Sequence, residues 1–312
     1  MNNSQFLSMC TADAIEKSAS QLIAGHLVAF PTETVYGLGA DASNPEAVRR
    51  IYEVKGRPVD HPLIVHISSM KLLDTWVSDI PEYALKLARD FWPGPMTLVL
   101  KRTPEAKDFI TGGQDSVAIR IPSNLIALSL LRSFESKGGK GVAAPSANRF
   151  GQVSPTSSDD VTSELSSFLM DGDLILDGGK CDVGIESTII DCSNTAPLIL
   201  RPGAITKEML EASAGIGALE STLSDIRVSG ALEKHYAPRA KVTLDQIPQP
   251  GQGFIALADI PTPDGVIRIA NPKDVIEFAQ ILYGSLRKAD ILELKELVVT
   301  QPIGNGLAIG VR

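Results

Sequence analysis

The sequence contains little cysteine, and none of it is arranged for disulfides or zinc. The 312 residues include three cysteines, Cys10, Cys181 and Cys192, and no two of them form a CxxC pair. This number and spacing argue against a disulfide-stapled secreted scaffold and favour a reducing compartment. The first residues, MNNSQFLSMCTADA, have neither a basic stretch nor a long apolar run, so no signal peptide is expected.

Long apolar runs and an excess of positive charge are also missing. No stretch reaches the roughly 18 apolar residues of a membrane span, and the formal net charge is -8. An acidic chain is unsuited to broad, sequence-independent nucleic-acid binding, which needs a basic face. We therefore expect a cytoplasmic protein without membrane contact, in which cationic side chains act only in local pockets.

Common nucleotide-binding and hydrolase motifs are absent as well. GxGxxG, the Walker A loop and GxSxG do not occur. A nucleotide would therefore bind without the usual glycine-rich loops, and a serine nucleophile has little support. A zinc site at His61 and His66 is not expected, because no nearby cysteine or third histidine completes it.

Helix and strand signals alternate along the chain, but several strands follow one another directly. This order predicts an α/β fold with a twisted, mixed β-sheet flanked by helices, rather than a strictly parallel sheet. We predict a larger domain over residues 1–207 and a linker with small residues over 208–240. Residues 241–312 are predicted to form a small, Rossmann-like α/β domain.

Residues 28–67 organise the larger domain. The apolar strand Val28–Phe30 leads into a polar turn punctuated by glycines. A helix follows, with Asn44 as its N-cap and Gly56 just past its end, and a second apolar strand spans 63–67. The turn places hydroxyl groups directly after a strand, where open α/β sheets present residues that contact ligands.

Cations and small polar groups recur at the predicted strand ends. Lys55 and Arg57 flank the helix exit, where they either complement the helix dipole or clamp a phosphate. Arg120 alternates with isoleucines and faces either solvent or a cleft. Further polar residues at strand ends are Ser146, Asn148, Ser187 and Arg201. Their convergence predicts one anion-binding cleft, and the alternative is a structural unit with solvated basic residues.

Seven ordered motifs resemble the YrdC-like family, and specifically its two-domain threonylcarbamoyl-AMP synthases. The motifs are FPTETVYGLGADA, KGRP…HPLIVHI, FWPGPMTLVL, SVAIRIP, APSAN…G…SPT, GIESTIID and LRPG. The resemblance extends to HYAP in the linker and to the C-terminal ADILEL…GNGLAIG segment. It implies a YrdC-like domain with an open, concave cleft, followed by the smaller domain.

The resemblance also implies an adenylyltransferase. L-Threonine combines through its amino group with bicarbonate or CO2, and the resulting N-carboxy-threonine attacks the α-phosphate of ATP and displaces pyrophosphate. The product, threonylcarbamoyl-AMP, supplies the N6-threonylcarbamoyl group (t6A) of ANN-decoding tRNAs through a separate transferase complex. Mg²⁺ is expected to accompany ATP without metal ligands from the protein, and stable tRNA binding is not expected.

Residue roles carry over with the motifs. The implied catalytic residues are Lys55, Arg57, Ser146 and Asn148. The implied L-threonine-binding residues are Thr34, His66, Arg120, Ala144 and Ser187, with Arg120 pairing with the amino acid carboxylate. The implied ATP-binding residues are Lys55, Arg57, His61, Ser116, Ser146, Asn148, Ser154 and Arg201, with Tyr236 reaching in from the linker.

Two features depart from the family pattern. His61 stands where the family often has asparagine, which would make a nucleotide contact depend on pH. The chain ends after GLAIGVR, where relatives usually continue with a short basic helix, so the expected C-terminal domain is either trimmed or less stable.

Three other functions remain as alternatives. A module that binds double-stranded RNA is disfavoured by the acidic composition. Carbamoyl handling, as in hydrogenase-maturation proteins, would require CxxC motifs that are missing here. Paralogues that share the fold without this activity are distinguished from the present chain by its KxR, SxN and HYAP motifs and by its second domain.

Overall fold

The computed structural model of the protein describes residues 6–7, 11–220, 226–228 and 237–311, and two β-sheets organise them. The strands of the larger sheet are β1 (Phe6–Leu7), β2 (Val28–Phe30), β3 (Gly37–Asp41), β4 (Ile64–His66), β5 (Met96–Lys101), β6 (Ser116–Arg120), β7 (Val142–Ala143), β8 (Leu174–Leu176), β9 (Thr188–Asp191), β10 (Leu198–Arg201) and β11 (Leu219–Glu220). Its helices are α1 (Ala12–Ile23), α2 (Pro45–Lys55), α3 (Leu73–Trp76), α4 (Glu82–Phe91), α5 (Asp108–Thr111), α6 (Leu125–Ser136), α7 (Ser158–Leu165) and α8 (Lys207–Ala214), with a 3-10 turn at Met70–Leu72.

Parallel and antiparallel neighbours are mixed in the larger sheet, which confirms the predicted fold class. Within the described residues the strand order is β1-β8-β2-β3-β7-β4-β6-β5-β9-β10-β11. β4 is parallel to β6 and antiparallel to β7. β5 lies between β6, to which it is antiparallel, and β9, to which it is parallel. This pairing brings the ends of β4 and β6 beside the start of β9, which places several polar segments together.

The larger sheet is buried on both faces, as its strand β2 illustrates. Val28 and Phe30 belong to an apolar cluster that includes α1 and α6, whereas Ala29 belongs to the cluster that includes α2 and α4. Because side chains alternate across a strand, a strand covered on both sides must be apolar throughout. The polar side chains that follow β2 are therefore an exception to this apolar pattern, and they lie at the end of the strand.

Helix α2 has the predicted boundaries. The side chain of Asn44 accepts hydrogen bonds from the backbone N–H groups of Glu46 and Ala47 at 3.0 and 3.1 Å. Pro45 occupies the first turn, and Gly56 ends the helix with a left-handed φ of 62°. These features satisfy the free backbone groups at both ends of the helix, and they fix where Lys55 and Arg57 leave it.

The segment Gly37–Asp41, which the sequence suggested to be a turn, is strand β3. It pairs antiparallel with β2 and with β7. Glycine is uncommon inside strands, but here the close packing of neighbouring side chains requires it. A Cβ atom at Gly39 would lie 2.8 Å from Phe30 Cε1 and 2.8 Å from Val142 Cγ1. Gly39 therefore lets the three strands approach one another. The low strand propensity of glycine, which favoured a turn here, was misleading.

Two elements occupy part of the predicted linker. Helix α8 packs on α4, and β11 pairs in parallel with β10 of the larger sheet. Residues 207–220 are therefore attached to the N-terminal unit. The remaining linker residues 221–225 and 229–236, which include the first half of HYAP, lie outside the described residues. The predicted division of the chain into domains stays a prediction.

The C-terminal part forms a second, smaller α/β unit, as predicted. Its strands β12 (Lys241–Leu244), β13 (Gly253–Ile255), β14 (Ile267–Ala270) and β15 (Glu296–Val299) are all parallel, in the order β12-β15-β13-β14. Its helices are α9 (Val275–Ile291) and α10 (Leu307–Gly310). Among the described residues no helix combines the length and apolar character needed to cross a bilayer.

The crowding at Gly39 gives a test of the β2-β3-β7 packing. Gly39→Ala is expected to lower the free energy of unfolding by about 1–3 kcal/mol, because the added methyl group has no room. Urea unfolding followed by circular dichroism measures this change. Gly217→Ala serves as the control, since the nearest atom to its added Cβ would be 4.0 Å away. Equal stability of the two variants would contradict the packing.

Candidate active site

One cavity in the larger unit is lined mainly by residues that the sequence motifs selected. Eight of them line it: Thr34, Arg57, His66, Arg120, Ala144, Ser146, Ser187 and Arg201. The lining also includes Thr32 and Glu186. These residues are far apart in sequence, and the strand register explains why they meet: His66 at the end of β4 is opposite Arg120 at the end of β6.

Arg120 faces this cavity rather than solvent. Its side chain is buried, and its Nη1 donates a hydrogen bond to Thr34 Oγ1 at 2.9 Å. Its Nη2 lies 2.8 Å from Glu33 Oε1, and both side chains are about 95% buried. The Nε of Arg120 has no hydrogen-bond partner within the described part of the chain. A buried guanidinium with an unused donor is suited to bind the carboxylate of a ligand.

Glu33 is the carboxylate of the TETVYG segment, which the sequence places among the polar groups after a strand without assigning it a specific partner. In the structure its Oε2 accepts a hydrogen bond from the backbone N–H of Ser123 at 3.1 Å. Its carboxylate thus connects the turn after β2 with the segment after β6. The signal that could have revealed it is the need of the buried Arg120 for a negative partner.

His66 is a neutral group in this cavity, and its Nδ1 has no hydrogen-bond partner among the residues that the structure describes. Burial, together with the positive charge of Arg120, lowers the pKa of its imidazole to about 3. The ring packs edge-on against Phe30, with 5.9 Å between the ring centroids. The imidazole therefore remains uncharged at neutral pH.

The loop after β7 carries Ala144 and Ser146 to the cavity, and backbone hydrogen bonds fix it to β3. The backbone N–H of Leu38 donates to Pro145 O at 2.8 Å, and that of Ala147 donates to Tyr36 O at 2.8 Å. Because β3 is a strand rather than a turn, these bonds extend the sheet into the loop. The Ser146 side chain is consequently presented at the cavity wall.

Lys55 lies behind the cavity wall and is not part of its lining. Its ammonium nitrogen donates to the backbone oxygens of Ser146 and Asn148 at 2.6 and 2.5 Å. Burial, followed by the charge of Arg57, lowers the pKa of Lys55 well below its usual value. In this structure Lys55 ties the end of α2 to the loop after β7, in addition to any contact with a ligand.

Asn148 is also engaged within the loop. Its amide nitrogen donates to the backbone oxygens of Arg149 and Gln152, both at 2.8 Å, and its Oδ1 accepts from Ser146 Oγ at 2.5 Å. The side chain is buried. Its contact with the cavity is therefore through Ser146, which does belong to the lining.

The opposite wall is built around Ser187 and Arg201. Arg201 donates from Nε to Ser187 O at 3.1 Å and from Nη2 to Ser187 Oγ at 3.1 Å. Glu186 Oε1 accepts a hydrogen bond from Ser154 Oγ at 2.7 Å, and its other oxygen lies 3.8 Å from Arg201. Ser154 is thus connected to the cavity through Glu186.

Arg57 completes the cationic side of the cavity. It follows the left-handed Gly56, which turns the chain out of α2. Its Nη2 donates to Pro62 O at 2.9 Å, and the side chain is buried. A buried, permanently charged guanidinium next to Ser146 and Arg201 is expected to attract a phosphate group. The interpretation of Arg57 as a mere complement of the helix dipole does not explain this burial.

Among the described residues, His61 and Ser116 are also absent from the lining, as are Lys55, Asn148 and Ser154. His61 lies outside β4 and packs edge-on against Phe150 at 5.4 Å between ring centroids, where burial and then Arg57 lower its pKa. Ser116 begins β6 and lines a small adjacent pocket that shares Ile64 with the cavity. Tyr236 lies outside the described residues.

The cavity combines hydroxyl groups and cations without a cluster of metal ligands. In the ranges that the structure describes, no group of three or more His, Cys, Asp or Glu side chains is placed to hold a metal ion. Both described cysteines, Cys181 and Cys192, are buried and free, and burial raises their pKa. The arrangement is suited to orient anionic groups rather than to supply a protein nucleophile.

Comparison with known proteins agrees with this geometry. The family model of Sua5, YciO and YrdC, described as "Telomere recombination", matches residues 20–203. A second model, described as the C-terminal domain of threonylcarbamoyl-AMP synthase, matches residues 205–312. The first match covers more than half of the chain and contains every described residue that lines the cavity.

Individual relatives carry related names. Threonylcarbamoyl-AMP synthases of Pyrococcus abyssi and Bacillus subtilis are 44% and 43% identical over 72% and 74% of this chain. The match covers 66% of the length of each relative, slightly under two thirds. The crystal structure of P. abyssi Sua5 complexed with L-threonine is 35% identical, with a TM-score of 0.87 over 98% of this chain and 94% of that one. On this evidence the chain belongs to the Sua5/YciO/YrdC family.

Proposed function

We propose that this protein is an L-threonylcarbamoyladenylate synthase, a nucleotidyltransferase. The observation that carries the proposal is the convergence of eight motif residues on one buried cavity with a cationic side. The names of the relatives and the L-threonine bound to the P. abyssi protein support the same assignment. The substrates are L-threonine, bicarbonate or CO2, and ATP.

The two sides of the cavity suggest where the substrates bind. Thr34, His66 and Arg120 form the side proposed for L-threonine, with the unused Nε of Arg120 available to the carboxylate. Arg57, Ser146 and Arg201 form the side proposed for the phosphates of ATP. This division puts the amino group of threonine and the α-phosphate in the same small space, which favours reaction by proximity.

The proposed reaction needs no covalent intermediate with the protein. Addition of the threonine amine to CO2 gives a carbamate and releases a proton. A carbamate oxygen then forms a bond to the α-phosphorus, while the bond from that phosphorus to the bridging oxygen of pyrophosphate breaks. Negative charge develops on phosphate oxygens, and the guanidinium groups of Arg57 and Arg201 would stabilise it.

We propose that Mg²⁺ enters with ATP rather than through a resident protein site. Glu186 lines the cavity and Glu33 contacts the lining residue Arg120, so each of these carboxylates is engaged with an arginine. The phosphates are therefore the expected ligands of the ion, which would neutralise their charge. The product would pass to a separate tRNA threonylcarbamoyl-transferase complex in the cytoplasm for t6A formation.

The first test is the dependence of pyrophosphate release on each substrate. With ATP, Mg²⁺ and bicarbonate, the purified protein should release pyrophosphate only when L-threonine is added, and removal of bicarbonate should lower the rate. A coupled pyrophosphate assay measures this release. ATP binding without threonine-dependent release would contradict the proposal and favour a paralogue that uses the same cavity differently.

Arg120→Lys tests the threonine side. Lysine keeps the positive charge beside Glu33 but cannot reproduce the planar, multidentate guanidinium. The Kd for L-threonine, measured by calorimetry, should rise about tenfold or more, as expected when a hydrogen bond to a charged group is lost, while the Kd for Mg·ATP should stay unchanged. Arg50→Lys is the matched control, because Arg50 forms a two-pronged ion pair with buried Asp173, at 3.0 and 2.6 Å, away from the cavity. Unaltered threonine binding by folded Arg120→Lys would refute the assignment.

The neutrality of His66 predicts a pH dependence of stability. The folded-state pKa of about 3 lies below the usual 6.5, so between these values the unfolded state binds a proton that the folded state excludes. The free energy of unfolding should therefore fall as the pH is lowered through this range, and His66→Asn should reduce the slope. Urea unfolding at several pH values measures it. An NMR titration of the His66 ring with a midpoint near 6.5 would be inconsistent with this prediction.

A further inference from the structure

Helix α9 of the C-terminal unit contacts two segments that border the cavity. The first is the 149–156 loop, which contains Ser154. The second is the 182–187 segment, which contains Glu186 and Ser187. The two segments are joined to each other by the hydrogen bond from Ser154 to Glu186. A short series of contacts and hydrogen bonds therefore connects the C-terminal unit to the wall of the proposed nucleotide side.

Arg287 makes the polar part of this connection. Its Nη2 lies 2.5 Å from Glu164 Oε2, and both side chains are more than 85% buried. The same nitrogen donates to the backbone oxygen of Val153. The other oxygen of Glu164 accepts from the backbone N–H of Arg149 at 2.6 Å. The ion pair thereby holds two backbone groups of the 149–156 loop, one at Arg149 and one at Val153.

Apolar contacts support the same interface. Val153 and Val35, which are both buried, share one cluster with Phe278, Tyr283 and Leu286 of α9. Ser154 follows Val153 directly, and Thr34 precedes Val35. Because the cluster is closely packed, displacement of Val153 would move the backbone that carries Ser154.

The 182–187 segment is packed against the backbone of α9. Gln280 Nε2 donates to Asp182 O at 2.7 Å. A Cβ atom at Gly184 would lie 2.5 Å from the Cα of Gln280, and Gly184 has a left-handed φ of 75°. Only glycine fits such an approach. The packing of this segment against α9 is therefore a structural part of the cavity wall and not an incidental surface contact.

The polar contacts of Arg287 do not reach the side proposed for threonine, although Val35 packs the backbone next to Thr34 against α9. Thr34, His66 and Arg120 stand at the ends of β2, β4 and β6, and within the described ranges none of them hydrogen-bonds to the 149–156 loop. Loss of the Arg287 contacts is therefore expected to affect one side of the cavity selectively.

Building on the proposed function, we propose that Arg287 is a positioning residue for the nucleotide side of the site. Through Glu164 and the Val153 carbonyl it fixes the 149–156 loop and thereby the place of Ser154 and Glu186. The C-terminal unit would then contribute to catalysis by holding the nucleotide wall in shape, without contacting the substrates through this residue.

The test separates nucleotide affinity from threonine affinity. Calorimetry with Mg²⁺ and α,β-methylene-ATP, which cannot undergo adenylyl transfer, measures the first, and L-threonine alone measures the second. Arg287→Met removes the charge but keeps an unbranched side chain. It should raise the Kd of the ATP analogue about tenfold, comparable to the loss of a charged hydrogen bond, and leave the Kd of L-threonine unchanged. Arg287→Lys, which keeps the charge beside Glu164, should restore part of the affinity.

Two further variants exclude a general loss of stability. Arg268→Met removes an arginine of the same unit that donates to Ala256 O and Leu257 O, both at 2.8 Å, within that unit. It should leave both affinities unchanged. Glu164→Gln should resemble Arg287→Met, and the double variant Arg287→Met with Glu164→Gln should be little worse than either one, because both act through one contact.

The outcomes distinguish this inference from the proposed function. Unchanged nucleotide affinity in folded Arg287→Met, equal losses for both ligands, or an equal loss in Arg268→Met would each overturn the positioning role. Failure of the wild-type protein to release pyrophosphate with L-threonine would instead overturn the proposed function, whatever the nucleotide affinity of the variants.

Discussion

The buried ion pair between Arg120 and Glu33 is the interaction on which the geometry of the cavity depends. Glu33 accepts a hydrogen bond from Ser123 N, and its backbone oxygen accepts one from Val183 N at 2.7 Å. The pair thus joins the turn after β2, the end of β6 and the segment before β9. Two buried charges are costly unless each has a partner, so removal of either residue would leave an uncompensated charge where these three segments meet.

The need of each buried charge for a partner also explains why the cavity is suited to anions. Arg57, Arg120 and Arg201 are buried around it, and the carboxylates of Glu33 and Glu186 lie beside Arg120 and Arg201. Backbone carbonyls satisfy much of the remaining hydrogen bonding, particularly at Lys55. Carbonyls are dipoles and do not carry a full negative charge, so these guanidinium groups would also attract the carboxylate and phosphate groups of a ligand.

The sequence predicted the alternating fold, the ends of α2 and most of the cavity lining because these depend on local signals: apolar alternation, caps and motif spacing. It failed at Gly37–Asp41, where glycine suggested a turn while crowding by Phe30 and Val142 requires glycine in a strand. It also assigned no partner to Glu33, and no role to Glu164 or Arg287. Their importance arises from tertiary partners more than 80 residues away, and no local pattern of a single sequence specifies such pairs.

The attachment of α8 and β11 to the larger sheet affects how the protein can be divided. β10 is covered on one side by β9 and on the other by β11. A fragment that stopped at residue 207 would leave the outer side of β10 as a bare strand with unpaired backbone groups. Such edges recruit strands from other molecules, so a shortened fragment would be prone to self-association, whereas one that includes β11 would keep that edge covered.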